Sequence, residues 1–70
     1  MPKAEIRNQV RRFRFEHGEM TQQKLADRAR CTRQTIIALE QQKYVPSLAL
    51  AFRIARAFGE PLESIFELVG

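Results

Sequence analysis

Seventy residues with twelve Lys or Arg against eight Asp or Glu make one small basic domain, near the size at which a single core is only marginally sufficient. One cysteine and one histidine exclude an intrachain disulfide and a complete zinc site, and the lack of a long apolar run or a glycine-rich phosphate loop excludes a signal sequence, a membrane span and a nucleotide cradle. Residues 1–46 hold ten of the basic side chains against five acids, whereas residues 47–70 hold two against three, so an acidic partner such as nucleic acid is expected on the amino-terminal two-thirds.

In chain order, Ile6, Val10 and Phe13 fall on one stripe at helical spacing, which predicts a first helix from Lys3 or Ala4 to Glu16 or His17. Gly18 is placed to close it in the left-handed region, and His17 reads as a helix-end residue favouring the dipole rather than as a base. Phe15 lies off the stripe and either folds over Met20 or touches another chain. Thr21 is the expected cap of a second helix beginning at Gln22, in which Leu25 and Ala29 share the buried face and Ala26 is small enough for a close crossing. Arg30, Cys31 and Thr32 make a tight turn, and Thr32 caps a third helix from Arg33 to about Gln41 that turns Ile36 and Leu39 inward.

After a loop over Gln42, Lys43, Tyr44, Val45 and Pro46, Ser47 caps a fourth helix from Leu48 to Phe58. Its Leu48, Ala51, Phe52, Ile54, Ala55 and Phe58 predict a wide buried arc. Gly59 ends it, Pro61 opens a last short helix, and Leu62, Ile65 and Phe66 close the core. Leu68 and Val69 are either a frayed tail or, with Leu50 or Phe66, part of a dimer contact. The fold class expected is therefore all-α, one domain over residues 1–70, in a reducing cytoplasmic setting without membrane contact, metal or cofactor.

The segment MTQQKLADRARCTRQTIIALEQQKYVPSL resembles the Cro/C1-type (XRE-type) helix-turn-helix family of regulators, particularly its compact single-domain members. The matching points are Thr21-Gln22, Leu25-Ala26, the run from Thr32 to Ile36, Leu39-Glu40 and Pro46-Ser47-Leu48. The resemblance implies a compact five-helix lambda-repressor-like domain with its motif at about 21–41, binding operator DNA, usually as a two-fold dimer on an inverted repeat, to regulate transcription, with repression the expected sense. It also implies that Glu40 pairs with Arg14 of the first helix. The chain departs from the family at Arg30, where glycine is common, and at Gln41-Gln42, where Asn-Gly or Gln-Gly is common; a non-glycine residue held left-handed costs on the order of 1 kcal/mol.

A helix entering the major groove by its amino-terminal end would aim Arg33 at guanine acceptors and Gln34 at the adenine edge, with Thr35 and Ala38 completing the base-reading strip and Ile37 beside it as a weaker candidate for a thymine methyl. Gln22, Thr32, Lys43 and Tyr44 are expected on the DNA backbone, where caps and flexible cations fix register without reading bases. No nucleophile, base and orienting group occur as a set, so an enzyme is not expected. The competing class is a protein-interaction module, antitoxin-like or adaptor, built on the same fold.

Overall fold

The computed structural model describes residues 5–69. The elements run β1 (Glu5–Asn8), α1 (Val10–Glu16), α2 (Gln22–Ala29), α3 (Arg33–Glu40), α4 (Leu48–Phe58), α5 (Leu62–Ile65) and β2 (Phe66–Val69). Five helices form, but the chain is not all-α: β1 and β2 pair antiparallel, with Glu5 facing Val69 and Asn8 facing Phe66. The expected first helix is thus shorter at its start, and the position proposed for that start, Lys3 or Ala4, lies outside the described residues. Ile6 matched the helical stripe only through its spacing from Val10. Its segment equally alternates in exposure, and the ladder to β2 satisfies backbone groups that four residues could not satisfy alone. Leu68 and Val69 accordingly belong to a strand rather than a frayed tail.

Thr21, Thr32 and Ser47 each accept, through the side-chain oxygen, the amide three residues on, at 3.0, 3.2 and 3.1 Å. These caps start α2, α3 and α4 where the sequence places them. The three helices also end alike. A left-handed residue follows each, and the next amide reaches back to a carbonyl of the last turn: Cys31 to Ala26, Lys43 to Ala38 and Glu60 to Ala55, at 3.0 to 3.1 Å. Glycine occupies that position only after α4, where Gly59 has φ +67°; after α2 it is Arg30 at +58°, and after α3 it is Gln42 at +61°.

The two substitutes for glycine differ in what their side chains do. The Arg30 side chain makes no hydrogen bond or ion pair with the described residues. Gln42 instead clips β1 to the end of α3, its Oε1 accepting from the Asn8 amide at 3.1 Å and its Nε2 donating to the Asn8 carbonyl at 3.0 Å. Arg30→Gly is therefore expected to stabilise by about 1 kcal/mol, raising Tm by roughly 4 to 8 °C in a domain of this size. Gln42→Gly should give no such gain, because its side-chain hydrogen bonds to Asn8, of about 0.5 to 1.5 kcal/mol each, are removed against the same relief. Thermal melts of both, with Arg30→Gln to separate loss of charge from backbone relief, decide the matter; equal gains at both positions would refute the role of the Gln42 amide.

The core joins Val10 and Phe13 of α1, Leu25, Ala26 and Ala29 of α2, Ile36 and Leu39 of α3, and Leu50, Ile54, Ala55 and Phe58 of α4, with Ile65 beneath. Ala26 is completely buried within this core. His17 caps the end of α1, its ring 5.1 Å from that of Phe58 and its Nδ1 2.7 Å from the Phe13 carbonyl, so it serves packing. The arc expected on α4 is narrower than its composition suggests: Leu48 is 67% and Phe52 49% exposed, because the stripe facing α2 is carried by Leu50, Ala51, Ile54, Ala55 and Phe58. Leu50, one of the residues considered for a dimer contact, is buried and unavailable.

Candidate nucleic-acid interface

The first turn of α3 is rigid and outward-facing. Thr32 accepts from the Thr35 amide, and the two hydroxyls lie 3.0 Å apart, so the Thr35 side chain is joined to the cap. Arg33 and Gln34, immediately after the cap, are exposed, while Thr35, Ile37 and Ala38 are half-buried behind them. Ile36 and Leu39, on the inward face, are fully buried and fix the helix's rotation about its axis. Arg33 and Gln34 consequently extend from an anchored helix end.

The other end of α3 is fastened by a buried ion pair. Arg14 of α1 donates from Nε to Glu40 Oε2 at 2.6 Å and from Nη2 to Glu40 Oε1 at 2.9 Å, a two-point fork, while its Nη1 donates to the Met20 carbonyl at 2.8 Å. Arg14 is only 8% exposed, the single buried charged residue of those described. Gln22 Nε2 adds a bond to Glu40 Oε1 at 3.2 Å. One carboxylate thereby ties α1, the start of α2 and the end of α3 into a fixed arrangement.

The remaining residues singled out from the sequence sit at the rim of this unit. Thr32, Lys43 and Tyr44 are exposed, the latter two in the loop after α3, and Gln22 is half-buried with its amide engaged by Glu40. A cleft of about 300 Å³ opens between α1, α2 and α3, lined by Arg11, Phe15, Gln22, Ile37 and Gln41 above the Arg14–Glu40 pair. Phe15 stays half-exposed there, with the Arg11 and Arg14 guanidinium carbons 5.6 and 5.4 Å from its ring centre. Arg11, indistinct in the sequence among the arginines of α1, is thus set with Arg14 beside the α2–α3 face. Its spacing of four residues from Phe15 is the signal that could have singled it out. Cys31, in the turn, packs against the core; burial pushes its thiol above the ordinary value, partly opposed by Arg53, so it remains protonated.

Two short capped helices joined by a left-handed turn, the second with a buried inner face and an exposed polar start, are matched over residues 12–65 by the family model described as helix-turn-helix. The chain belongs to the Cro/C1-type helix-turn-helix family. It is similar to an uncharacterized HTH-type transcriptional regulator of Methanothermobacter thermautotrophicus, 56% identical over 64 residues that span 90% of this chain and 91% of that protein. Another, from Methanocaldococcus jannaschii, is 48% identical over 61 residues, spanning 87% of this chain and 91% of its own. One from Bacillus subtilis is 41% identical over 63 residues, spanning 90% and 94%. Members of this helix-turn-helix family are DNA-binding transcriptional regulators rather than enzymes. The matched segment begins after β1 and stops before β2, so the two-stranded sheet is outside what the family model describes. No helix among the described residues is long and apolar enough to cross a membrane.

Proposed function

We propose that residues 1–70 form one DNA-binding domain that represses transcription by occupying an operator in double-stranded DNA, in the cytoplasm at the nucleoid. The carrying observation is the exposed pair Arg33 and Gln34 on the first turn of a helix fixed at both ends, by the Thr32 cap and by the Arg14–Glu40 fork. In the major groove these two side chains, with Thr35 and Ala38, read base edges. Thr32, Lys43 and Tyr44 hold phosphates, and Gln22 offers its backbone at the start of α2, its side chain being held by Glu40.

One copy presents one such helix, which reads too few base pairs for useful selectivity, so the binding form is a homodimer on an inverted repeat. The surface supporting a second copy is apolar and free of charge: a groove lined by Ile6, Val45, Leu48, Ala51, Leu62 and Phe66, flanked by the exposed Leu68. Ile6 and Leu68 are direct partners in the ladder and share one sheet face with Phe66. A two-fold interface sets a patch against its own copy, which suits an apolar surface and penalises one of a single charge.

Selection from random duplex DNA is expected to enrich an inverted repeat whose half-sites lie about one helical turn apart. Leu68→Glu should leave the helical content intact, shift sedimentation to a monomer and abolish the preference for paired half-sites. Enrichment of nothing would give priority to the protein-interaction alternative, enrichment of a lone half-site by the wild type would remove the dimer, and a Leu68→Glu variant that still sediments as a dimer and selects paired half-sites would remove this surface as its interface.

A further inference from the structure

A second basic surface lies at the end of α2 opposite Gln22, beside the α2–α3 turn. Arg28 in the last turn of α2 and Arg30 just beyond it face Arg53 and Arg56 of α4 across a cleft of about 470 Å³. The eight residues of α2 separate this cleft from Gln22 by roughly 12 Å, and its lining shares no residue with the cleft beside α3. None of these four arginines is paired with a carboxylate among the described residues, where the ion pairs are Arg7 with Glu5, Arg12 with Glu16 and Arg14 with Glu40. The nearest acid in sequence, Asp27, accepts instead from Gln23 Nε2 at 2.9 Å.

Helix dipoles account for part of this arrangement, since cations are favoured in a final turn and Arg28 and Arg56 each occupy one. They do not account for convergence. Arg53 is in the middle of α4 and is drawn into place by donating from Nε to the Ala29 carbonyl at 2.7 Å, which holds a third guanidinium beside the other two at the mouth of the α2–α3 turn. Four like charges around one open cleft repel until an anion of several charges neutralises them. Ala57 is the one apolar side chain of the lining, so the cleft offers no stacking surface for a base and no pocket for an apolar group. Guanidinium forks match phosphate oxygens in geometry and charge.

We propose that the Arg28, Arg30, Arg53 and Arg56 cleft is a phosphate-binding site distinct from the reading face of α3. Its phosphates come either from a free oligophosphate or from the backbone of DNA flanking the half-site. The free-oligophosphate source stands without the operator reading, whereas the flanking-DNA source rests on it.

The test uses Arg28→Gln/Arg56→Gln, two exposed positions outside the core, and leaves Arg53 to hold Ala29. In the first arm inorganic tripolyphosphate is titrated into the wild type and the double variant at low salt, with amide shifts recorded. Shifts confined to the α2–α3 turn and the end of α4, with affinity weakened by about tenfold for each arginine replaced, assign a free oligophosphate. In the second arm a minimal duplex is compared with one extended by about one helical turn on each side. Extension should steepen the salt dependence of wild-type binding by about 0.9 for each further phosphate neutralised, and the double variant should lack that increment while keeping its base preferences. The second result assigns flanking DNA. If tripolyphosphate binds neither protein at this cleft and duplex extension affects both proteins equally, the site does not exist. Unchanged base preferences in the variant keep that failure separate from a failure of the α3 reading.

Discussion

Arg14→Ala is expected to destabilise the fold by about 3 to 5 kcal/mol, because it leaves the Glu40 carboxylate in a buried setting without its countercharge. A domain of this length has only about 5 kcal/mol or somewhat more to lose, so the variant should retain at most marginal stability. Three acceptors lose a bond together: Glu40 Oε2, the Met20 carbonyl and Glu40 Oε1, which keeps only the Gln22 amide. At present no buried side-chain nitrogen or oxygen among the described residues lacks a hydrogen bond, so no existing defect can absorb the change. Glu40→Ala should be comparably severe, as it strands a guanidinium and frees the Gln22 amide. The double alanine variant should be much less damaged than the sum of the two, since neither charge is then left alone. Urea melts of the four proteins measure that coupling, and simple additivity would show that the fork contributes no pairwise stabilisation.

Arg33→Ala and Gln34→Ala should leave the melting curve nearly untouched and change the DNA preference instead. Both side chains are exposed, and a bidentate contact to a base carries about 1 to 3 kcal/mol of discrimination in each half-site. On a symmetric repeat each substitution acts twice, so specific affinity should fall by about 2 to 6 kcal/mol while binding to scrambled duplex barely moves. Lys43→Ala should behave oppositely, weakening all duplexes alike and lowering the salt slope by about one per protomer. Titrations of specific and scrambled duplexes at several salt concentrations separate the two behaviours. Should Arg33→Ala and Gln34→Ala both retain wild-type affinity and preference, α3 is not the reader and the protein-interaction reading takes its place.

The helical scaffold was legible because its signals are local. Thr21, Thr32 and Ser47 start helices by reaching three residues ahead, and Gly59 ends one through its own backbone freedom. The outward direction of Arg33 and Gln34 followed from the burial period of Ile36 and Leu39. The sheet was not legible, because β1 is defined by a partner at the opposite end of the chain, and Ile6 by coincidence also satisfied the helical period of Val10 and Phe13. The same limit hid the Gln42 clip on Asn8, the exposure of Leu48 and Phe52, and the meeting of α2 and α4 arginines at one cleft. Each depends on which elements become neighbours, which hydrophobic periodicity alone does not specify.

Pairing β1 with β2 turns the described chain into a ring closed close to its two ends. Closure entropy grows only logarithmically with loop length, each doubling adding about 0.6 kcal/mol, so a clasp across the whole domain is little harder to form than one across half of it. What the clasp changes is the independence of the ends: β1 is also held through the Asn8 backbone by Gln42, and the Gln9 amide by the Ile65 carbonyl at 2.9 Å. Neither strand can peel away without exposing the hydrogen-bonding groups of the other, and fraying at one extremity is a shared event between both.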